Sequence, residues 1–152
     1  MVAAFVAAAA VAQINPPKNK AVFLELGGSG GLASVNFEKT FLTKNKKEFT
    51  WRAGLSFAPI DKNNGTSIVV PLIVNVLAGQ HSHKLELGLG QGLTLTTKGN
   101  FFALTTAVVG YRYQSPLKRW FYRVTYTPLI SYLVDFQVQH WGGLSIGYRL
   151  NN

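Results

Sequence analysis

Cysteine is absent from this chain, which excludes disulfides and thiolate metal sites outright. Charge is scarce as well: Asp, Glu, Lys and Arg make up 14% of residues, against roughly a quarter in an ordinary soluble domain. Acids are the rarer sign, 6 against 15 Lys and Arg, for a net charge of +9. Long apolar runs are missing too. Although 47% of the residues are hydrophobic, no stretch reaches the ~18 consecutive apolar residues that mark a transmembrane helix. At 152 residues the chain is one domain, too short for two of ordinary size. Apolar content without apolar runs points to strands whose side chains alternate between two environments.

Alternation is what the sequence has in abundance. Trp141 to Leu150 points Leu144, Ile146, Tyr148 and Leu150 one way, and Gly143, Ser145, Gly147 and Arg149 the other. The clearest segment sets Phe49, Trp51, Ala53, Leu55 and Phe57 against Thr50, Arg52, Gly54, Ser56 and Ala58. About nine to eleven such residues let a tilted strand cross a bilayer. The same rule runs through Val22–Gly27, Ala33–Glu38, Lys84–Leu95, Thr106–Tyr113 and Phe121–Thr127. Ile68–Leu77 is less tidy: Val69 and Ile73 occupy the face that should be polar, and Pro71, lacking an N–H, predicts a bulge or local distortion. Between the strands lie Gly28-Ser29-Gly30 as a tight hairpin turn, the basic turn Thr43–Lys47, and the loops Pro59–Ser67 (with Asn64-Gly65), Thr97–Phe102 and Pro128–His140. The reading is all-β: an eight-stranded antiparallel up-and-down transmembrane β-barrel over residues 21–150.

Residues 1–12 form an atypical signal segment, alanine-rich and ending Ala10-Val11-Ala12 before Gln13, though without Lys or Arg near Met1. Residues 13–20, with Pro16 and Pro17, are a polar spacer.

Alternation does not say which face is inside, because a soluble secreted lipocalin-like carrier of a lipophilic ligand shows the same pattern turned inside out. Three features favour the membrane. Glu25, Glu38, Glu86, Arg52, Arg112, Arg123 and Arg149 share the polar faces, while Lys18, Lys20, Lys44, Lys46, Lys47, Lys62, Lys98 and Lys118 fall in turns or near strand ends. A narrow lumen favours Arg and Glu that pair by charge-assisted hydrogen bonds. Gly88, Gly90 and Gly92 lie on the charged face and are expected to make room for the arginines. Aromatics (Phe41, Phe49, Phe57, Tyr111, Tyr113, Trp120, Tyr122, Trp141, Tyr148) gather near strand ends like interfacial girdles. The expected interior network is therefore Glu25, Glu38, Arg52, Glu86, Arg112, Arg123 and Arg149. Trp51, Leu55, Leu87, Leu89, Val109, Tyr126, Ile146 and Tyr148 are expected to face lipid.

Phe23-Leu24-Glu25-Leu26-Gly27-Gly28, the run His83 to Gly90, Gly110-Tyr111-Arg112-Tyr113-Gln114 and the terminal Gly143 to Leu150 together resemble small outer-membrane β-barrel proteins of Bacteroidota, of a general architecture similar to the OmpA and OmpX type. The resemblance covers Lys20 to Leu150. It implies residence in the outer membrane of a Gram-negative cell and recognition of the last strand by the barrel-assembly machinery. That recognition usually uses a terminal aromatic, whereas this chain ends Tyr148-Arg149-Leu150-Asn151-Asn152.

Signals for chemistry are weak. The cluster Gly27-Gly28-Ser29-Gly30-Gly31 lacks the Lys-Ser/Thr of a phosphate loop, and Gly88-x-Gly90-x-Gly92 has a strand period rather than the dinucleotide spacing. His81 and His83 share a face without a carboxylate neighbour beyond Glu86, which reads as a solvated turn rather than a metal site. A lipid A-modifying outer-membrane enzyme would need a Ser and a His, and His140 with Ser131 or Ser145 supplies the candidates. Asn64-Gly65-Thr66 matches a glycosylation acceptor but reads as a surface turn. Lys44, Lys46 and Lys47 near Phe49 and Trp51 do not make a nucleic-acid platform, because those aromatics alternate along an apolar face. The expectation is a plugged monomeric barrel with no enzyme activity, metal or cofactor. Its partners would be outer-membrane lipids and lipopolysaccharide, with no nucleic acid.

Overall fold

Side chains that alternate in kind can be segregated only if the backbone is extended and every strand edge is paired, and the chain achieves both by closing on itself. The structure, a computed structural model, describes residues 19–61, 65–131 and 136–150. The signal segment 1–12, most of the 13–20 spacer and Asn64 of the turn signal lie outside the described residues. The elements are β1 (Lys20–Gly27), β2 (Ala33–Lys44), β3 (Lys47–Asp61), β4 (Gly65–Gln80), β5 (His83–Thr96), β6 (Phe101–Gln114), β7 (Trp120–Tyr126), β8 (Leu129–Ser131), β9 (Gln137–Gln139) and β10 (Gly142–Arg149). Except for β7/β8 and β9/β10, which follow one another without pairing, neighbours along the chain pair antiparallel; β7 pairs with β6 and β10, and β1 pairs with β10 to close the ring.

These ten segments make eight barrel strands. β8 pairs with β6 at Thr106↔Leu129, in the register that β7 sets at Val109↔Tyr126. Likewise β9 pairs with β8 at Leu129↔Gln139, continuing the Gly142↔Tyr126 register of β10 and β7. The breaks fall at Thr127-Pro128 and His140-Trp141, where Pro128 has no N–H to give the ladder. Thr127 N–H still donates to the Trp141 carbonyl at 2.8 Å. Within the predicted loop Pro128–His140, the described segments Leu129–Ser131 and Gln137–Gln139 thus continue the hairpin of β7 and β10.

Pro71 behaves differently from the expected bulge. Register between β3 and β4 is the same on both sides of it (Ala53↔Leu72, Ser56↔Val69), and only the pairs between are missing. A lost donor interrupts the ladder without inserting a residue. The register shifts occur instead at Thr40/Leu42 in β2 against β3 and at Pro59/Asp61 in β3 against β4. The basic turn closes with Asn45 and Lys46 at φ 50° and 62°, the paired left-handed residues of a two-residue hairpin loop.

The outer wall is apolar. Leu55, Leu87, Leu89, Val109 and Tyr126 are 45–63% exposed, Trp51 and Ile146 about 40%, and Tyr148 is half-buried against Trp120. Leucines therefore coat the outside, and the leucine-lined cavity that a soluble carrier would need is turned outward. Inside, the buried side chains are predominantly Ser, Thr, Asn, Glu and Arg, with a minority of apolar ones such as Phe23, Phe121, Ile73 and Val108.

Candidate functional site

The site with the most built-in chemistry is the lumen. Glu25 on β1, Glu38 on β2, Arg52 on β3, Glu86 on β5, Arg112 on β6 and Arg123 on β7 are all inward and at most 3% exposed. They form one chain of alternating sign. Arg52 Nη1 donates to Glu25 Oε1 at 3.3 Å, and Arg123 Nη2 donates to the same oxygen at 2.5 Å. Arg123 Nη1 reaches Glu86 Oε1 at 3.0 Å; Arg112 Nη2 contacts Glu86 Oε2 at 3.4 Å. Arg112 then grips Glu38 through two parallel hydrogen bonds of 2.7 and 2.8 Å. Its two ends, Arg52 and Glu38, face each other as cross-strand neighbours of β3 and β2.

Three acids meet three arginines, so the buried charge cancels. Without pairing, each buried ion would cost several kcal/mol in lost hydration. The planar guanidinium suits this task because its fixed fork reaches two carboxylates at once, as Arg123 and Arg112 both do.

Two aromatic rings complete the plug. Arg123 and Arg52 lie 4.4 and 5.6 Å from the Phe23 ring centre, and Arg112 lies 4.6 Å from that of Phe121. The rings meet edge to face at 6.0 Å. Stacked guanidiniums gain about 0.5–2 kcal/mol apiece from such faces. Phe23 and Phe121 stand on the polar side of their strands, and that violation of alternation is the signal that they belong to the interior.

Arg149 corrects the expected list. Although its parity puts it on the inward face, it sits at the very end of β10, where Nη2 donates to the Ser115 carbonyl at 2.7 Å and to that of Lys118. It fastens the β6–β7 turn and has no place in the charge chain. The serines Ser29, Ser34 and Ser145 take part instead. Arg52 Nη2 donates to Ser29 Oγ at 2.8 Å, Ser29 and Ser34 donate to Glu25 at 3.4 and 3.5 Å, and Arg123 Nε donates to Ser145 Oγ at 3.3 Å.

Ser29 arrives there by an unexpected route. Gly28–Gly30 is a single buried 3-10 turn tucked into the barrel, not an open hairpin tip. Gly27, Gly28 and Gly31 have φ of 72°, 76° and 90°, a conformation that side chains resist. The glycine density is its visible sign. Glycines in the strands also serve differently than predicted: a Cβ on Gly88 would strike Asn75, and one on Gly90 would strike Ile73, so this pair makes room for β4 rather than for arginines. Ile73 breaks the alternation because Gly90 opposite it leaves space that a hydrocarbon fills, and Val69, opposite Thr94, lies beside the space left by its diagonal neighbour Gly92.

Other candidates for chemistry separate in space. His140 is exposed and hydrogen-bonded to Tyr126 at 2.5 Å, whereas Ser145 is inside the wall. Ser131 pairs with Gln137, while the hairpin register puts His140 opposite Pro128, three residues away or about 10 Å. His83 bonds the Tyr111 hydroxyl on the outside, with Glu86 on the opposite face. Among the described residues no three His, Asp or Glu side chains converge on a metal position.

Comparison with known proteins locates the fold. No family model matches the chain, and no curated protein does. Among solved structures it is similar to the N-terminal β-barrel domain of Pseudomonas aeruginosa OprF, with a TM-score of 0.60 over 87% of this chain and 96% of that one, at 10% identity. The chain has the closed eight-stranded antiparallel barrel architecture of that domain.

Proposed function

We propose that this protein is an integral outer-membrane β-barrel whose plugged lumen makes it a structural or surface-interaction element without catalysis. The observation that carries the reading is the inversion of ordinary solubility: an apolar outer wall around a closed set of six charges. A lipid-facing surface needs the first, and a barrel too narrow for water to solvate its interior needs the second. Its partners are outer-membrane lipids and lipopolysaccharide, and the barrel-assembly machinery takes it up through β10. Both termini face the periplasm, as an even number of strands allows. The opposite end, with the turn Thr97–Asn100 and the β8–β9 hairpin, is the one available for surface contacts.

Partition and mobility test the reading. Expressed with an export signal, the chain is expected in outer-membrane fractions, with heat-modifiable migration in SDS and no conductance steps in planar bilayers. A chain that stays soluble without detergent overturns the membrane assignment. Stable conductance overturns the plug alone.

A further inference from the structure

The charge that the lumen does not use is gathered at one end. The three interior arginines are matched by Glu25, Glu38 and Glu86, and Lys84 is bound to Glu48. Lys20, Lys44, Lys46, Lys47, Lys118 and Arg119 are exposed at the end that carries both chain termini, whereas Lys98 is the described cation at the other.

On the outer wall below Lys118 and Arg119 lies a groove of about 430 Å³ crossing β1, β10, β7 and β6. Leu24, Leu144, Ile146, Tyr111, Tyr122 and Val124 line it, almost wholly with hydrocarbon and ring surface. Toward the termini it ends at Trp120 and Tyr148, whose rings meet edge to face at 5.2 Å, and the Arg119 guanidinium contacts the Tyr148 hydroxyl at 3.5 Å. Beside them Leu117 is 95% exposed, an apolar side chain that water alone would not favour. Apolar groove, aromatic belt and paired cations follow one another from β7 back into the turn before it, each pair of strand residues covering about 7 Å. That sequence of environments matches an acyl chain, a glycerol-ester region and a phosphate.

We propose that this groove holds one anionic glycerophospholipid of the leaflet facing the termini, with an acyl chain between β1 and β6 and its phosphate on Lys118 and Arg119. The proposal rests on the membrane reading above. The cations select the headgroup, and Leu117 anchors the turn at the same interface. A net-negative headgroup near two juxtamembrane cations is favoured on the order of tenfold over a zwitterionic one, whose ammonium offsets its phosphate.

The test uses Trp120 as its reporter. In a Trp51→Phe, Trp141→Phe background, the full chain is folded into phosphatidylcholine vesicles doped with brominated-acyl phosphatidylglycerol or, separately, brominated-acyl phosphatidylcholine. Trp120 fluorescence is expected to be quenched at about a tenfold lower mole fraction of the phosphatidylglycerol. Lys118→Gln with Arg119→Gln brings the two lipids to parity, while Lys44→Gln, Lys46→Gln, Lys47→Gln together leave the preference intact. Equal quenching in the parent, or a preference that survives the Lys118/Arg119 change, overturns the site. Loss of preference in the triple variant instead also overturns it, by moving the charge effect to the β2–β3 turn. Heat-modifiable mobility is read in the same vesicles: its absence in the parent overturns the membrane reading, an outcome distinct from a folded barrel without lipid preference.

Discussion

Among the described residues two kinds of ion pair occur, and what separates them most is where they stand. Arg123 bridges Glu25 and Glu86 with all three side chains sealed from solvent, whereas Lys84 meets Glu48 at the rim with side chains 10% and 22% exposed. The chemistry is the same, an ammonium or guanidinium against a carboxylate. In the lumen, however, neither partner has water to fall back on, so each ion depends on the other for its presence in the fold. At the rim, water substitutes for a lost partner. Buried pairs therefore act as an all-or-none set, and the rim pair as an adjustable contact.

The comparison breaks most severely at Arg123. Arg123→Leu takes the shorter contact from two carboxylates at once, leaving Glu25 only Arg52 at 3.3 Å and Glu86 only Arg112 at 3.4 Å, and is expected to cost about 3–5 kcal/mol or to prevent folding; urea titration in detergent micelles, followed by heat-modifiable mobility, reads it. Glu38→Leu is expected to be nearly as harmful alone, yet its combination with Arg112→Leu should recover much of the loss, because two acids and two arginines then remain in balance. Equal damage in the double variant would show that the network is not the source of the effect.

Arg52→Leu comes next, since Glu25 keeps Arg123 when Arg52 is removed. It is expected to lower the urea midpoint clearly, while Lys44→Leu, in the exposed turn, leaves it unchanged. Equal shifts would count against a structural role for the inward arginine. Gly147→Val tests the plug by steric means: its Cβ would enter the space of Phe121, and overpacking of this sort costs about 1–3 kcal/mol. Phe121→Leu in the same chain should restore part of that loss. Smallest is Lys84→Met at the rim, where Glu48 keeps contact with water: it is expected to cost about 1 kcal/mol, and 1 M salt should remove only part of that, because a partly buried pair is screened less than an exposed one.

Much of the barrel is legible in the sequence because alternation is a local property. Trp51 and Arg52 are adjacent, and the pleat alone sends one to the outer wall and the other inward. Glycine-rich Gly27–Gly31 is visible as a turn, but nothing local says that a turn folds into the lumen rather than away from it. That outcome depends on empty space left by strands elsewhere in the chain. The hairpin of β7 to β10 reads as a loop for a related reason: Pro128 ends the local pattern, while pairing with β6 carries the strand past it.

The sequence by itself determined which face each residue takes, since a two-residue period is fixed by backbone geometry. Only the tertiary structure decided the height at which each residue lies and whom it meets. Arg123 and Glu25 are 98 residues apart in the chain and reach each other because β1 closes on β10 next to β7. Arg149 has the same parity as Arg123 but lies at the strand's end, and so it ties a turn instead of joining the charges. Face follows from a single strand; level follows from the register of eight strands around a closed ring, a quantity that no one stretch of sequence contains.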